Sequence, residues 1–144
     1  MSLKGKAAIV GYGCTKPTRK APGSTVAGIM AEAAAQAIED AGLPKDDIDG
    51  LLTFASGVEL SDWASVFADY MQIRPNMANV MGIMGANGAG MVWRAAAAID
   101  AGLCNYVLCV GGSAEEVGGG ARAANRCGSC SSWSRKRVRG PVWS

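Results

Sequence analysis

The run Tyr106-Val107-Leu108-Cys109-Val110, closed by Gly111-Gly112, is apolar at every position, and that continuity limits the fold more than any other feature. A strand apolar on both sides must be covered on both faces, which is the condition of a parallel sheet sandwiched between helices. Ala7 to Gly11, Ile48 to Phe54 and Met77 to Met81 are further runs of strand length. Between them lie stretches of helical spacing. After a loop rich in Lys, Pro and Gly, Ser24 is placed to cap a helix with apolar positions at Val26, Ile29, Met30, Ala33, Ala37 and Ile38, ended by Gly42 and Pro44. Leu60 to Met71 predicts a second helix, with Trp63, Val66, Phe67 and Tyr70 on its packed side, and a third runs to about Ala101. The order β-α-β-α-β-α-β predicts an α/β fold, a mostly parallel sheet with helices on both faces and right-handed crossovers. The phrases "AIEDAGL" (Ala37 to Leu43) and "AIDAGL" (Ala98 to Leu103) each put a glycine where a helix would be capped.

At 144 residues and 49% hydrophobic, one domain that buries roughly two-thirds of its unfolded surface is expected. No stretch approaches the roughly 20 apolar residues of a membrane span, and Met1 to Lys6 lacks the apolar core of a secretory signal, so a cytoplasmic protein is expected. Five cysteines, at 14, 104, 109, 127 and 130, argue against a paired disulfide framework and for reduced thiols. The chain has no histidine, which removes the commonest general base and the commonest zinc ligand.

Charge divides the sequence in two. Residues 1–116 hold all twelve acidic residues and eight basic ones, whereas residues 117–144 hold six basic residues and no acidic one. From Ser113 onward there is no Leu, Ile, Met or Phe and no helical or strand periodicity. A segment so poor in apolar surface cannot offset its ordering entropy, so residues 113–144 are expected to be a disordered basic tail behind a domain of residues 1–112.

Candidate chemistry concentrates in glycine and cysteine motifs. "GYGCTK" (Gly11 to Lys16) follows a strand and starts like a dinucleotide fingerprint, but Lys16 stands where the third glycine belongs and Pro17 delays the helix, so a strand-end turn accounts for it better. Cys127-Gly128-Ser129-Cys130 is a lone C-x-x-C without a second ligand pair, and no metal site is assigned. "SRKRVR" (Ser134 to Arg139), with Trp133 beside it, reads as a solvated basic run, and nucleic-acid binding is not expected. "GIMGANGAG" (Gly82 to Gly90) puts four glycines before a helix, but Met91, Val92 and Trp93 stand where a phosphate loop needs Lys and Ser or Thr. What remains is a strand-to-helix turn, the geometry that elsewhere presents a nucleophile, or small residues that let a helix approach the sheet.

Residues 3 to 112 resemble the N-terminal part of the thiolase superfamily, in the branch of acetyl-CoA acetyltransferases and sterol-carrier-type (lipid-transfer-protein) thiolases. The phrases that carry this are "LKGKAAIVGYGCTKPTRK" (Leu3 to Lys20), "AEAAAQAIEDAGLPKDDIDGLLT" (Ala31 to Thr53) and "GANGAGMVWRAAAAIDAGLCNYVLCVGG" (Gly85 to Gly112). The resemblance implies a thiolase-like fold of two similar α/β halves in five layers, of which this chain holds part of the N-terminal half, with four of five expected strands. It implies acyl-CoA thioester substrates, with coenzyme A part of the substrate and no resident cofactor. Acyl transfer, or aldol or Claisen-type carbon–carbon cleavage in lipid or steroid degradation, is the implied activity. The family's acylated cysteine, at the start of the third helix, falls on Gly85, so no catalytic residue is assigned. Cys104, near a helix end, and Cys109, within a strand, are expected to be structural. Relatives lacking that cysteine resemble aldolases that work with a small OB-fold acyl-CoA-binding protein. The histidine motif and second cysteine of the family belong to a C-terminal half not represented here, and the tail has the composition of GC-rich DNA read out of frame. The chain alone is therefore expected to be inactive, with a homodimer or a pairing with a paralogue, through a strand of the first half, as the expected assembly. A non-catalytic binding or scaffolding module is the alternative.

Overall fold

The computed structural model describes residues 3–16, 25–56, 62–113 and 130–135. Among these residues, five strands, β1 (Ala8–Cys14), β2 (Gly50–Ser56), β3 (Met77–Val80), β4 (Tyr106–Ser113) and β5 (Cys130–Arg135), form one sheet in the order β1-β5-β4-β2-β3. β2 pairs in parallel with β3 and β4, whereas β5 runs antiparallel to both β1 and β4. Among the described residues, three α-helices, α1 (Val26–Ala41), α2 (Trp63–Met71) and α3 (Asn87–Asp100), cover the sheet.

Strand alternation sorts the core into two layers. Leu51, Leu108 and Val110 point to the side where Met30, Ala34 and Ala37 of α1 and Trp63, Phe67 and Ala68 of α2 pack. Leu52, Val107 and Cys109 point to the other, against Met91, Ala95, Ala98 and Ile99 of α3. A helix on each face is why β2 and β4 read as continuous apolar runs.

Local chemistry explains the helix ends. Thr25, not Ser24, caps α1: its Oγ1 accepts from the Gly28 amide at 3.0 Å, one residue later than expected. Gly42 and Gly102 take left-handed φ values of 62° and 76°. Behind them, Leu43 donates to the Ile38 carbonyl and Leu103 to the Ala98 carbonyl, so the repeated A-G-L phrase is one capping device used twice.

Two expectations are corrected. On α2 the buried stripe is Trp63, Ala64, Phe67 and Ala68, while Val66 and Tyr70 face outward, because the two alanines let the helix close onto the sheet and turn the larger residues away. Trp63 and Phe67 stack at 6.4 Å. The tail does not wholly lack structure either, because residues 130–135 form β5 and supply a fifth strand. A ladder draws on backbone amides and carbonyls that any sequence carries, and β1 and β4 flank that slot with matching edges. The remainder of the tail, with Cys127 and residues 136–139, lies outside the described residues.

Candidate functional site at the start of the third helix

β3 gives way to the glycine-rich turn at the carboxyl end of the sheet. The Met81 amide bonds the Thr53 carbonyl at 2.8 Å, after which the chain makes a short 3-10 turn, Met84–Ala86, and enters α3 at Asn87. Met84 is 84% exposed and held at φ 55°, a left-handed conformation costing about 1–2 kcal/mol in a residue with a Cβ. No side chain caps α3 and no acidic residue occupies its first turn, which leaves the positive end of the helix dipole facing the turn.

Asn87 holds the turn together. It is only 4% exposed, its Oδ1 accepts from the Ile83 amide at 2.8 Å, and its Nδ2 has no partner among the described residues. A buried amide donor left unpaired costs of the order of 1–3 kcal/mol and is therefore a feature to be explained. The sequence signal for it was available, an Asn between glycines at a helix start, but its burial was not.

The glycines of the turn differ in role. A Cβ at Gly90 would run into Ile83 and Met81, so Gly90 permits close packing. At Gly82, Gly85 and Gly88 a Cβ would meet nothing within 4 Å. Packing thus accounts for one of the four, and Gly85 stands in open space with a backbone that accepts a side chain.

The other candidates fall elsewhere. Gly11 and Gly13 face α1, where a Cβ would meet the carbonyls of Ala37 and Ala33, and the neighbouring amides of Tyr12 and Cys14 bond Asp40 and Gln36 of α1. That glycine pair serves helix–strand contact. Lys16 ends the described part of β1's exit, and residues 17–24 lie beyond it. Cys104 is buried and its thiol is pushed up to about 11, first by desolvation and then by the charge of Asp49, so it stays protonated and unreactive. Cys109 is buried within β4. A groove of about 360 Å³ runs between α3 and β2–β3, lined by residues including Met77, Arg94 and Leu103, but no residue of the turn lines it.

At the opposite, amino end of the sheet, Asp49 was missed in the sequence because nothing marks it among its acidic neighbours. Its carboxylate accepts from the amides of Asn105 and Tyr106 and from Asn105 Nδ2 at 2.8–2.9 Å, while its carbonyl accepts from Asn76 at 2.7 Å. One residue therefore ties together the starts of β2, β3 and β4.

No helix among the described residues is long and apolar enough to cross a membrane. No family model matches the sequence, and no curated protein matches it. Solved structures do. The "Ltp2-ChsH2(DUF35) aldolase" is 31% identical, with a TM-score of 0.70 over 85% of this chain and 31% of that one. The 3-oxoacyl-[acyl-carrier-protein] synthase III from Aquifex aeolicus VF5 gives 0.72 at 13% identity, over 93% and 55%. A Xanthomonas campestris OleA variant with bound lauric acid and lauroyl-CoA gives 0.67 at 15% identity, over 91% and 56%. The chain thus spans less than two thirds of each of these proteins. With its mixed, mostly parallel sheet between helices, it has a thiolase-like α/β fold, in the form of a partial N-terminal half.

Proposed function

We propose that the chain is a thioester-binding module of an aldolase-type carbon–carbon lyase acting on acyl-CoA substrates, not a covalent acyltransferase. The observation that carries this reading is the open, uncapped turn at the start of α3, where a Cβ at Gly85 would meet nothing within 4 Å; by resemblance, Gly85 stands in for the acylated cysteine of the thiolase superfamily. Likeness at 31% identity to a protein described as an aldolase supports the choice of reaction.

The chemistry follows from what the turn offers. In retro-aldol cleavage of a β-hydroxyacyl-CoA, a base takes the hydroxyl proton, the Cα–Cβ bond breaks, and its electron pair passes into the thioester carbonyl as an enolate. Donors fixed beside that oxygen stabilise the developing charge more than the starting carbonyl, typically by about 2.7–4 kcal/mol per donor in enzymes of known mechanism. The amides at the positive end of α3 are such donors, and the buried Asn87 holds the turn that presents them through its bond to the Ile83 amide. No covalent intermediate is needed, so a glycine at 85 is compatible with turnover. The turn from Ile83 to Gly90 holds no titratable side chain, so the base must reach it from elsewhere, and the isolated chain is expected to bind without turning over. Coenzyme A enters as part of the substrate, and a small OB-fold acyl-CoA-binding protein is the partner this reading calls for.

Intact-mass measurement after incubation with acetyl-CoA tests the reading. The unmodified chain should remain unacylated, whereas Gly85→Cys should gain one acyl group per chain with release of free coenzyme A. Acylation of the unmodified chain would establish covalent transfer instead, and an unreactive Gly85→Cys would remove the turn from the site.

A second reading, a non-catalytic module that pairs with a paralogue, is favoured by β3, which lies at an edge of the sheet and pairs only with β2 among the described residues. An exposed edge is a ready template for another strand. Co-purification with a full-length paralogue, lost on Ala78→Pro, would support pairing through β3.

A further inference from the structure

The two edges of the sheet are finished differently. On β1, the amides of Tyr12 and Cys14 are taken up by the Asp40 carboxylate at 2.9 Å and the Gln36 side-chain oxygen at 3.2 Å, both from α1. Gly11 and Gly13 let α1 lie close enough for this, since a Cβ on either would run into the helix. Covering an edge strand in this way withholds it from other chains. β3 has no such cover. The amides of Met77 and Met81 donate to the carbonyls of Asp49 and Thr53, so by alternation the N–H and C=O groups of Ala78 and Val80 point away from β2, where no strand among the described residues pairs.

The groove beside α3 lies along this open edge. It holds about 360 Å³, with Leu52, Met77, Ala98 and Leu103 among its apolar walls and Asn79 and Arg94 as its polar groups. A mostly apolar recess with a few placed polar groups is the usual form of a recognition pocket. Arg94 supplies its charge. The side chain is exposed, its Nη1 donates to Asn79 Oδ1 at 3.3 Å, and it makes no ion pair among the described residues. Met77 and Asn79 stand two positions apart on the α3 side of β3. A strand laid against β3 therefore sets every second side chain over the groove, one level with Asn79 and Arg94 and the next level with Met77.

We propose that β3 takes up an extended acidic segment of another protein, a strand carrying a carboxylate side chain and an aliphatic one two residues apart. The carboxylate pairs with the Arg94 guanidinium, and the aliphatic side chain fills the apolar part of the groove beside Met77. Backbone bonds to Ala78 and Val80 hold the added strand, while the groove selects its alternate side chains. This inference rests on the reading of β3 as a pairing edge and adds the chemistry of the partner. A second copy of the chain does not match that chemistry. Residues 73–82 contain no acidic side chain and one basic one, Arg74, so β3 of a copy brings no carboxylate to Arg94.

The test is fluorescence anisotropy of the full chain with three labelled heptapeptides. Each has leucine at its second and sixth positions, threonine at the outer and intervening ones, and glutamate, glutamine or lysine at the centre. The glutamate peptide should bind saturably, the glutamine peptide about threefold to fivefold more weakly, and the lysine peptide more weakly still. Arg94→Glu should reverse that order. Ala78→Pro, at an edge position that tolerates proline, should abolish binding of all three with the circular dichroism unchanged. Equal affinity for the three peptides, lost on Ala78→Pro, would keep the pairing edge and overturn the acidic partner. Binding that survives Ala78→Pro would overturn the edge itself. No saturable binding of the glutamate peptide, or its exclusion by self-association of the chain, would overturn the proposal as well. Because a variant could fail to fold, the ranking of the three peptides on the unmodified chain is decisive alone.

Discussion

The two ends of the sheet have opposite economies. At the amino end, Asp49 satisfies the backbone of three strands with bonds of 2.7–2.9 Å, and Cys104 is shielded beside it. At the carboxyl end, Met84 is held left-handed, α3 has no side-chain cap, and the first residues of α2 and α3, Trp63 and Asn87, each keep a buried N–H donor without a partner among the described residues. Unpaired donors and backbone strain persist only where the surrounding structure compels them, and they gather at sites that bind. The amino end is tied together by hydrogen bonds, and the carboxyl end, where these strained and unpaired groups collect, is where the proposed thioester site lies.

The largest expected effect breaks the closed end. Asp49→Ala removes a carboxylate serving three donors and should cost about 2–4 kcal/mol, read as a lower midpoint in urea with an unchanged slope. Next comes pH. Because the folded Cys104 pKa of about 11 lies above its ordinary 9.0, the protonated thiol's contribution is complete below pH 9 and lost as pH rises through 11. Stability should fall by about 2–3 kcal/mol across that window, and Cys104→Ala should flatten the fall.

Smaller effects sharpen the open end. Met84→Gly relieves the left-handed backbone and should stabilise by about 0.5–1 kcal/mol, a rise of a few degrees in Tm. Gly85→Ala should change stability by less than about 0.5 kcal/mol, since its Cβ meets nothing. Gly90→Ala, whose Cβ presses on Ile83 and Met81, should cost about 1 kcal/mol or more by the same denaturation measurement.

The same contrast explains what could be read from sequence. β1 to β4 and all three helices follow from hydrophobic period, and the two A-G-L caps from glycine chemistry, because those signals are local and repeated. The outward turn of Val66 and Tyr70 was not legible, since which side of a helix is buried depends on how closely its alanines approach a partner. β5 was hidden because its pairing is made by backbone alone, in text that carries no apolar alternation. Asp49 and Asn87 were hidden for a related reason: a polar residue's worth lies in partners as many as 57 positions away, as for Asp49 and Tyr106, or in their absence. Gly85 was legible as a position through resemblance, yet only the structure separates it from Gly90, the one glycine of the turn that packing requires.

Amide chemical shifts recorded during titration with acyl-CoA test the central claim most directly. The account predicts saturable shifts confined to Ile83 through Gly88 and the adjoining carboxyl ends of β2 and β4, with Asp49, Asn105 and Tyr106 unmoved. Shifts centred on the groove at Met77, Arg94 and Leu103, or no saturable shift at all, would contradict it.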